Sequence, residues 1–192
     1  DGYPFVWSTK RSFMIQPTIA NDGTFSFIAR ENANSRGLFC RNAICVSAGH
    51  IYFLSENADG LYRVQGNGNP QCITNAGFRN LFRNNGKDPQ PITLLDNRTI
   101  YPPDFTAVDD LRLFSTEDYI FFRFKSTIGE HPALVFSIAM DDFVSFDTFQ
   151  GNFNATYREE LEFSKNILFA TDNQTISRFG TNPGFEPTTE CL

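Results

Sequence analysis

The chain has 192 residues, 41% of them apolar and 20% charged, with 22 phenylalanines and a formal net charge of −6. That aromatic load excludes intrinsic disorder as the main state, and the acidic balance argues against nucleic acid as a partner, since phosphate binding needs a basic face. No apolar run approaches the ~20 residues of a spanning helix, so no membrane span is expected, and the length fits a single domain over residues 1–192.

Most apolar runs are short and end at Asn, Gly, Asp or Pro, which predicts an all-β chain. Residues 5–9 and 12–15 form a first hairpin about Lys10-Arg11. A second unit is expected at 24–30, with a polar turn from Glu31 to Arg36 and a return at 37–40. The clearest unit is a strand at 49–55, a turn ending in Asp59-Gly60, a strand at 61–64, a Gly/Pro turn and a third strand at 72–74. In its first strand Ile51 and Phe53 point one way while Tyr52 and Leu54 point the other, so both sides require cover. Residues 76–116 break the pattern with Lys87-Asp88-Pro89-Gln90-Pro91 and Tyr101-Pro102-Pro103, a loop or degenerate repeat. Inside that stretch Phe78, Leu81 and Phe82 have helical spacing. Strands are then expected at 118–124 and 133–138. Alternation along 143–149 places Phe143 and Phe149 on one face and Phe146 on the other. Residues 156–163 are predicted as one to two helical turns, N-capped by Asn154. A last pair of strands covers 166–172 and 175–179.

Ile167-Leu168-Phe169-Ala170-Thr171-Asp172, Ile51-Tyr52-Phe53-Leu54-Ser55-Glu56 and Phe5-Val6-Trp7-Ser8-Thr9-Lys10 resemble the Ile-Tyr-Trp-Thr-Asp strand of YWTD-type β-propellers. Such propellers occur in lipoprotein-receptor ectodomains and related extracellular proteins. Residues 60–74 resemble the remainder of one blade. The resemblance implies a small or incomplete β-propeller of short antiparallel blades, with a β-sandwich or jelly roll as the alternative. The units start near residues 4, 24, 50, 118 and 166 instead of at one period. At ~40 residues per blade, four or five blades fit. The ring then closes on itself or is completed by another copy.

The compartment is read from sequons and cysteines. Asn97, Asn154 and Asn173 each open an Asn-X-Thr sequon, expected on loops or turns, and three together point to a secreted or extracellular glycoprotein. The opening Asp1-Gly2-Tyr3-Pro4 has neither an initiator Met nor an apolar leader, as expected of a mature form after signal removal or of an excised piece. Cys40, Cys45, Cys72 and Cys191 make an even count that fits two disulfides in that compartment. Of the three connectivities, a short Cys40–Cys45 bridge would leave Cys72 to tie the C-terminus through Cys191. A metal site from Cys40, Cys45, His50 and Cys72 lacks the tight two-residue knuckle of structural zinc.

Catalytic patterns are sparse. His50 reads as a strand-end residue and His131 as a turn residue, without a nucleophile elbow to serve. Carboxylates cluster at Asp109-Asp110, at Asp141 and Asp142 with Asp147, and at Glu159-Glu160 with Glu162. The middle cluster is the candidate calcium site, and paired acids leave a secreted carbohydrate-active hydrolase as the alternative function. The function expected first is non-enzymatic: binding, adhesion or self-assembly through other protein chains, copies of itself included.

Overall fold

A computed structural model describes residues 4–32, 35–84 and 86–146 with their side chains. It adds the backbone of 147–148, 153–161, 164–171, 176–179 and 189–190. The protein is all-β. Its larger sheets are antiparallel meanders in which each strand pairs with its neighbours in sequence, and none closes into a barrel. The first sheet has three strands, β1 (Phe5–Trp7), β2 (Ser12–Ile19) and β3 (Phe25–Glu31). The second has four: β4 (Ile44–Ser47), β5 (His50–Leu54), β6 (Leu61–Val64) and β7 (Gln71–Cys72). A two-stranded ladder follows, β8 (Ile92–Thr93) with β9 (Thr99–Ile100). The third meander has four strands, β10 (Arg112–Ser115), β11 (Tyr119–Arg123), β12 (Pro132–Ser137) and β13 (Asp142–Thr148). The fourth holds β14 (Phe153–Leu161), β15 (Ser164–Thr171), β16 (Ile176–Phe179) and β17 (Thr189–Glu190).

The strands apolar on both faces organise the core. Tyr52 and Leu54 of β5 join Leu113, Ile120, Phe122, Leu134 and Phe136 of the third sheet in one buried cluster. Ile51 and Phe53, on the opposite side of β5, join Trp7, Ile44, Tyr62 and Val64 in a second cluster. The expected two-sided cover of this strand is therefore present, with the third sheet on one side and β1 on the other. β11 is buried on both faces as well: Phe122 turns into the main core, while Phe121 stacks on Phe114 at 4.9 Å across the other face. The starts of the second and third sheets lie side by side and run the same way. Leu113 N–H donates to Asn42 O (2.9 Å), the Ser115 hydroxyl to Val46 O (3.0 Å) and the Ser47 hydroxyl to Thr116 O (2.8 Å).

Residues 76–116 are irregular, as expected, but they are not a surface loop. Leu81, Phe82, Ile100, Phe105 and Leu111 are all buried in the main core. The helical spacing at Phe78, Leu81 and Phe82 resolves into a single 3-10 turn, Arg79–Leu81, opened by Phe78 N–H donating to Asn75 Oδ1 at 3.2 Å.

Three local expectations are corrected. First, β3 pairs with β2, not with 37–40; seven consecutive residue pairs from Phe13↔Glu31 to Ile19↔Phe25 outcompete the short return, and Leu38 instead bridges to Ser55. Second, residues 156–161 of the helix expected at 156–163 lie on β14, which pairs with β15 through Arg158↔Ile167 and Glu160↔Lys165, and the last two fall outside the described residues. A helix of eight residues has too few bonds to repay its nucleation, and Thr156 and Tyr157 suit a pleated strand. Third, Val144 is a bulge, since Val135 pairs with Ser145 and Phe136 with Phe143. One extra residue reverses the alternation. Phe143 therefore packs on the same core as Phe146 instead of facing away from it.

Candidate interaction surface

In the first sheet, register and alternation sort the side chains into two faces. Phe5 and Trp7 lie on the face turned to the second sheet, with Trp7 and Phe53 rings 6.0 Å apart. Val6, Ile19, Phe25 and Phe27 lie on the other face, and they are 51%, 69%, 62% and 65% exposed. Phe25 and Phe27 meet edge to face at 5.3 Å, a paired aromatic patch open to solvent. Scattered apolar residues are ordinary on a surface, but here four large ones share one sheet face.

Among the described residues β3 also has a backbone edge without a partner strand. Asn32 N–H donates to Ser12 O (3.1 Å) and Ala20 N–H to Thr24 O (2.9 Å), so even-numbered residues of this strand bond β2. The N–H and C=O groups of Phe25, Phe27 and Ala29 consequently point away from the sheet. The ladder runs without a register shift, and its only Pro, Pro17, is on β2. Charges sit only near the ends, at Asp22, Arg30 and Glu31, the last held by Arg11 at 2.7 Å.

The sites expected from sequence are placed as follows. Asn97 occupies the exposed tip of the β8–β9 hairpin with φ of 65°, its N–H donating to Leu94 O at 3.0 Å. Asn154 lies within β14, not on a loop, at a register shift between Phe153 and Ala155. Asn173 lies outside the described residues. Cys40, Cys45 and Cys72 are free thiols, so the expected Cys40–Cys45 bridge is not formed; Cys191 lies outside the described residues. Burial pushes the Cys45 thiol up to about 12 and raises that of Cys40 as well.

The calcium candidate divides among other partners. Asp141 forms a two-pronged ion pair with Arg63, its second contact at 3.1 Å. Asp142 Oδ1 accepts from Asn75 Nδ2 (2.6 Å) and from Phe143 N–H (2.7 Å). Both carboxylates thus tie down the start of β13, Asp141 to Arg63 on β6 and Asp142 to Asn75 just past β7. The Asp147 side chain lies outside the described ones, and among the described residues no three His, Cys, Asp or Glu side chains converge on a metal position. His50 Nδ1 lies 3.0 Å from Ala48 O; a carbonyl only accepts, so that nitrogen carries the proton. His131 Nδ1 lies 3.1 Å from Arg123 Nη2, and because a guanidinium only donates, this nitrogen accepts.

Two polar features escape a sequence reading. Asp59 is a hub, accepting from Arg36 at 3.2 and 3.0 Å, from the Ser55 hydroxyl and from Tyr62 OH at 3.3 Å. The Arg36 guanidinium also sits 4.3 Å over the Tyr62 ring. Arg123 is wholly buried and stands in register with Arg112 across β10 and β11. The only prior signal for Arg123 was a charged residue inside an apolar run, and Asp59 reads as an ordinary turn residue. No protein-family model and no curated protein matches this chain.

Proposed function

We propose that the chain is a secreted or cell-surface glycoprotein that works without catalysis, as a binding, adhesion or self-assembly module through protein–protein contacts. The observation that carries this reading is the exposed apolar face of the first sheet, Val6, Ile19, Phe25 and Phe27. An array of meanders must cover its terminal faces by a cap, by closure or by a partner, and among the described residues this face has no polar cap. Asn97 at an exposed hairpin tip supports the extracellular part, because a glycan there meets only solvent. Face-to-face packing of meanders, with the first strands of the second and third sheets side by side, favours blades of a YWTD-type β-propeller, small or incomplete, over a two-sheet sandwich.

Secretion from a eukaryotic host tests the reading. The secreted chain is expected to lose mass on N-glycanase treatment, with part of that loss removed by Asn97→Gln. Retention of an unglycosylated chain inside the cell overturns the extracellular reading. Turnover of chromogenic glycosides by the same preparation, abolished when a carboxylate pair is neutralised, replaces the module with a hydrolase.

A further inference from the structure

Resting on the binding-module reading, we propose that β3 is a dimerisation edge: a second copy of this chain adds its own β3 antiparallel to the first, joining two three-stranded sheets into one of six strands. The second and third sheets each have four strands, whereas the first stops at three with a full-length strand on its edge. That strand lacks the usual protections of a natural edge: it carries no Lys, no Pro and no bulge. Its outward groups belong to Phe25, Phe27 and Ala29, and an antiparallel pair bonds only where outward residues face outward residues.

One register satisfies that condition together with charge. With the two-fold axis at Ser26, Phe25 of each copy exchanges both main-chain bonds with Phe27 of the other. Thr24 then lies opposite Ile28, and Arg30 of each copy comes beside the β2–β3 turn of the other, which carries Asp22. Asp22 is ionised at neutral pH, since the bond from Thr24 N–H to its Oδ1 (2.9 Å) holds it below the ordinary carboxylate value. The pairing therefore brings opposite charges near one another at each end of the dimer. It also places four phenylalanines in neighbouring positions on one face, where aromatic cross-strand pairs stabilise a sheet.

Sedimentation equilibrium of the intact chain is expected to give twice the 21.8 kDa chain mass at micromolar concentration. Phe27→Pro removes an outward N–H and no bond to β2, so it is expected to give a monomer whose melting curve is that of a folded protein. Asp22→Lys and Arg30→Glu singly set like charges together at both ends and are expected to weaken the dimer roughly tenfold. The double variant restores attraction and is expected to recover it, which a damaged turn at Asp22 would not do. A wild-type monomer up to about 100 μM (the weak end of specific association) overturns the proposal. So does a dimer indifferent to Phe27→Pro, or charge swaps that the double variant does not rescue. A monomer that instead binds zwitterionic phospholipid vesicles through Phe25 and Phe27 assigns the patch to a membrane surface and also overturns it. None of these outcomes moves the glycan or turnover readings, so the two proposals fail separately.

Discussion

Single residues carry the sharpest consequences. Asp59 collects Arg36, Ser55 and Tyr62 on one partly buried carboxylate, so Asp59→Ala strands a guanidinium and two hydroxyls together. We expect a loss of about 2 kcal/mol in urea unfolding. Arg36→Lys will not be neutral, because an ammonium lacks the planar face that lies over Tyr62 while Nη1 reaches both oxygens of Asp59. The cysteines differ in reactivity: Cys72 is exposed, whereas burial holds the Cys45 thiol near 12. Ellman's reagent should therefore titrate Cys72 in the native protein and Cys45 only on unfolding; a Cys72 that reacts only after reduction would indicate the bridge to Cys191. Asp104 takes bonds from the Thr106 hydroxyl (2.6 Å) and amide (2.9 Å), and Asp96 from the Arg98 amide and side chain, which hold both carboxyls below their usual range. A lowered folded pKa contributes stability that is complete above the unfolded value and is lost as pH falls toward the folded one. Melting temperatures should accordingly drop below about pH 4.

At the scale of elements, turns decide more than strands do. The β4–β5 hairpin turns through Ala48 and Gly49, both with positive φ (49° and 74°), and alanine pays for that backbone. Ala48→Gly should raise stability by about 1 kcal/mol in thermal melts. Gly37 is the opposite case. A Cβ there would overlap the Thr9 carbonyl where the first hairpin lies against the second sheet, so Gly37→Ala should cost about 3 kcal/mol or more. The strands themselves were legible because period-two apolar runs leave few other structures available, and both faces of β5 were assigned correctly from Ile51 through Leu54. Three features were not legible. A bulge at Val144 leaves no trace in composition yet flips every later side chain. The choice of β2 over 37–40 as partner for β3 depends on total ladder length, which no local window contains. Arg123 was hidden for a related reason: burial of a charge is set by what covers the sheet, not by its own neighbours in sequence.

The whole molecule is a set of meanders whose first strands are gathered, in the second and third sheets, along one line. Hydrogen exchange should rank the elements by cover: amides of β5, β11 and β12 slowest, because both faces are buried, and the outward amides of Phe25, Phe27 and Ala29 among the fastest. Slow exchange at those three in dilute protein would contradict an open edge. The side-by-side run of β4 and β10 has a consequence for how the chain reaches this structure. Within each meander, partners are separated by short turns and find one another cheaply. The bonds of Ser47 and Ser115 join residues 69 apart, with the irregular core segment between them. Ordering that long loop must be paid for by the junction it closes, so the seam belongs to the late steps of folding. Ser47→Ala with Ser115→Ala should then speed unfolding while leaving the refolding rate nearly unchanged. The seam acts as a clasp, fastened after the sheets it holds have already formed.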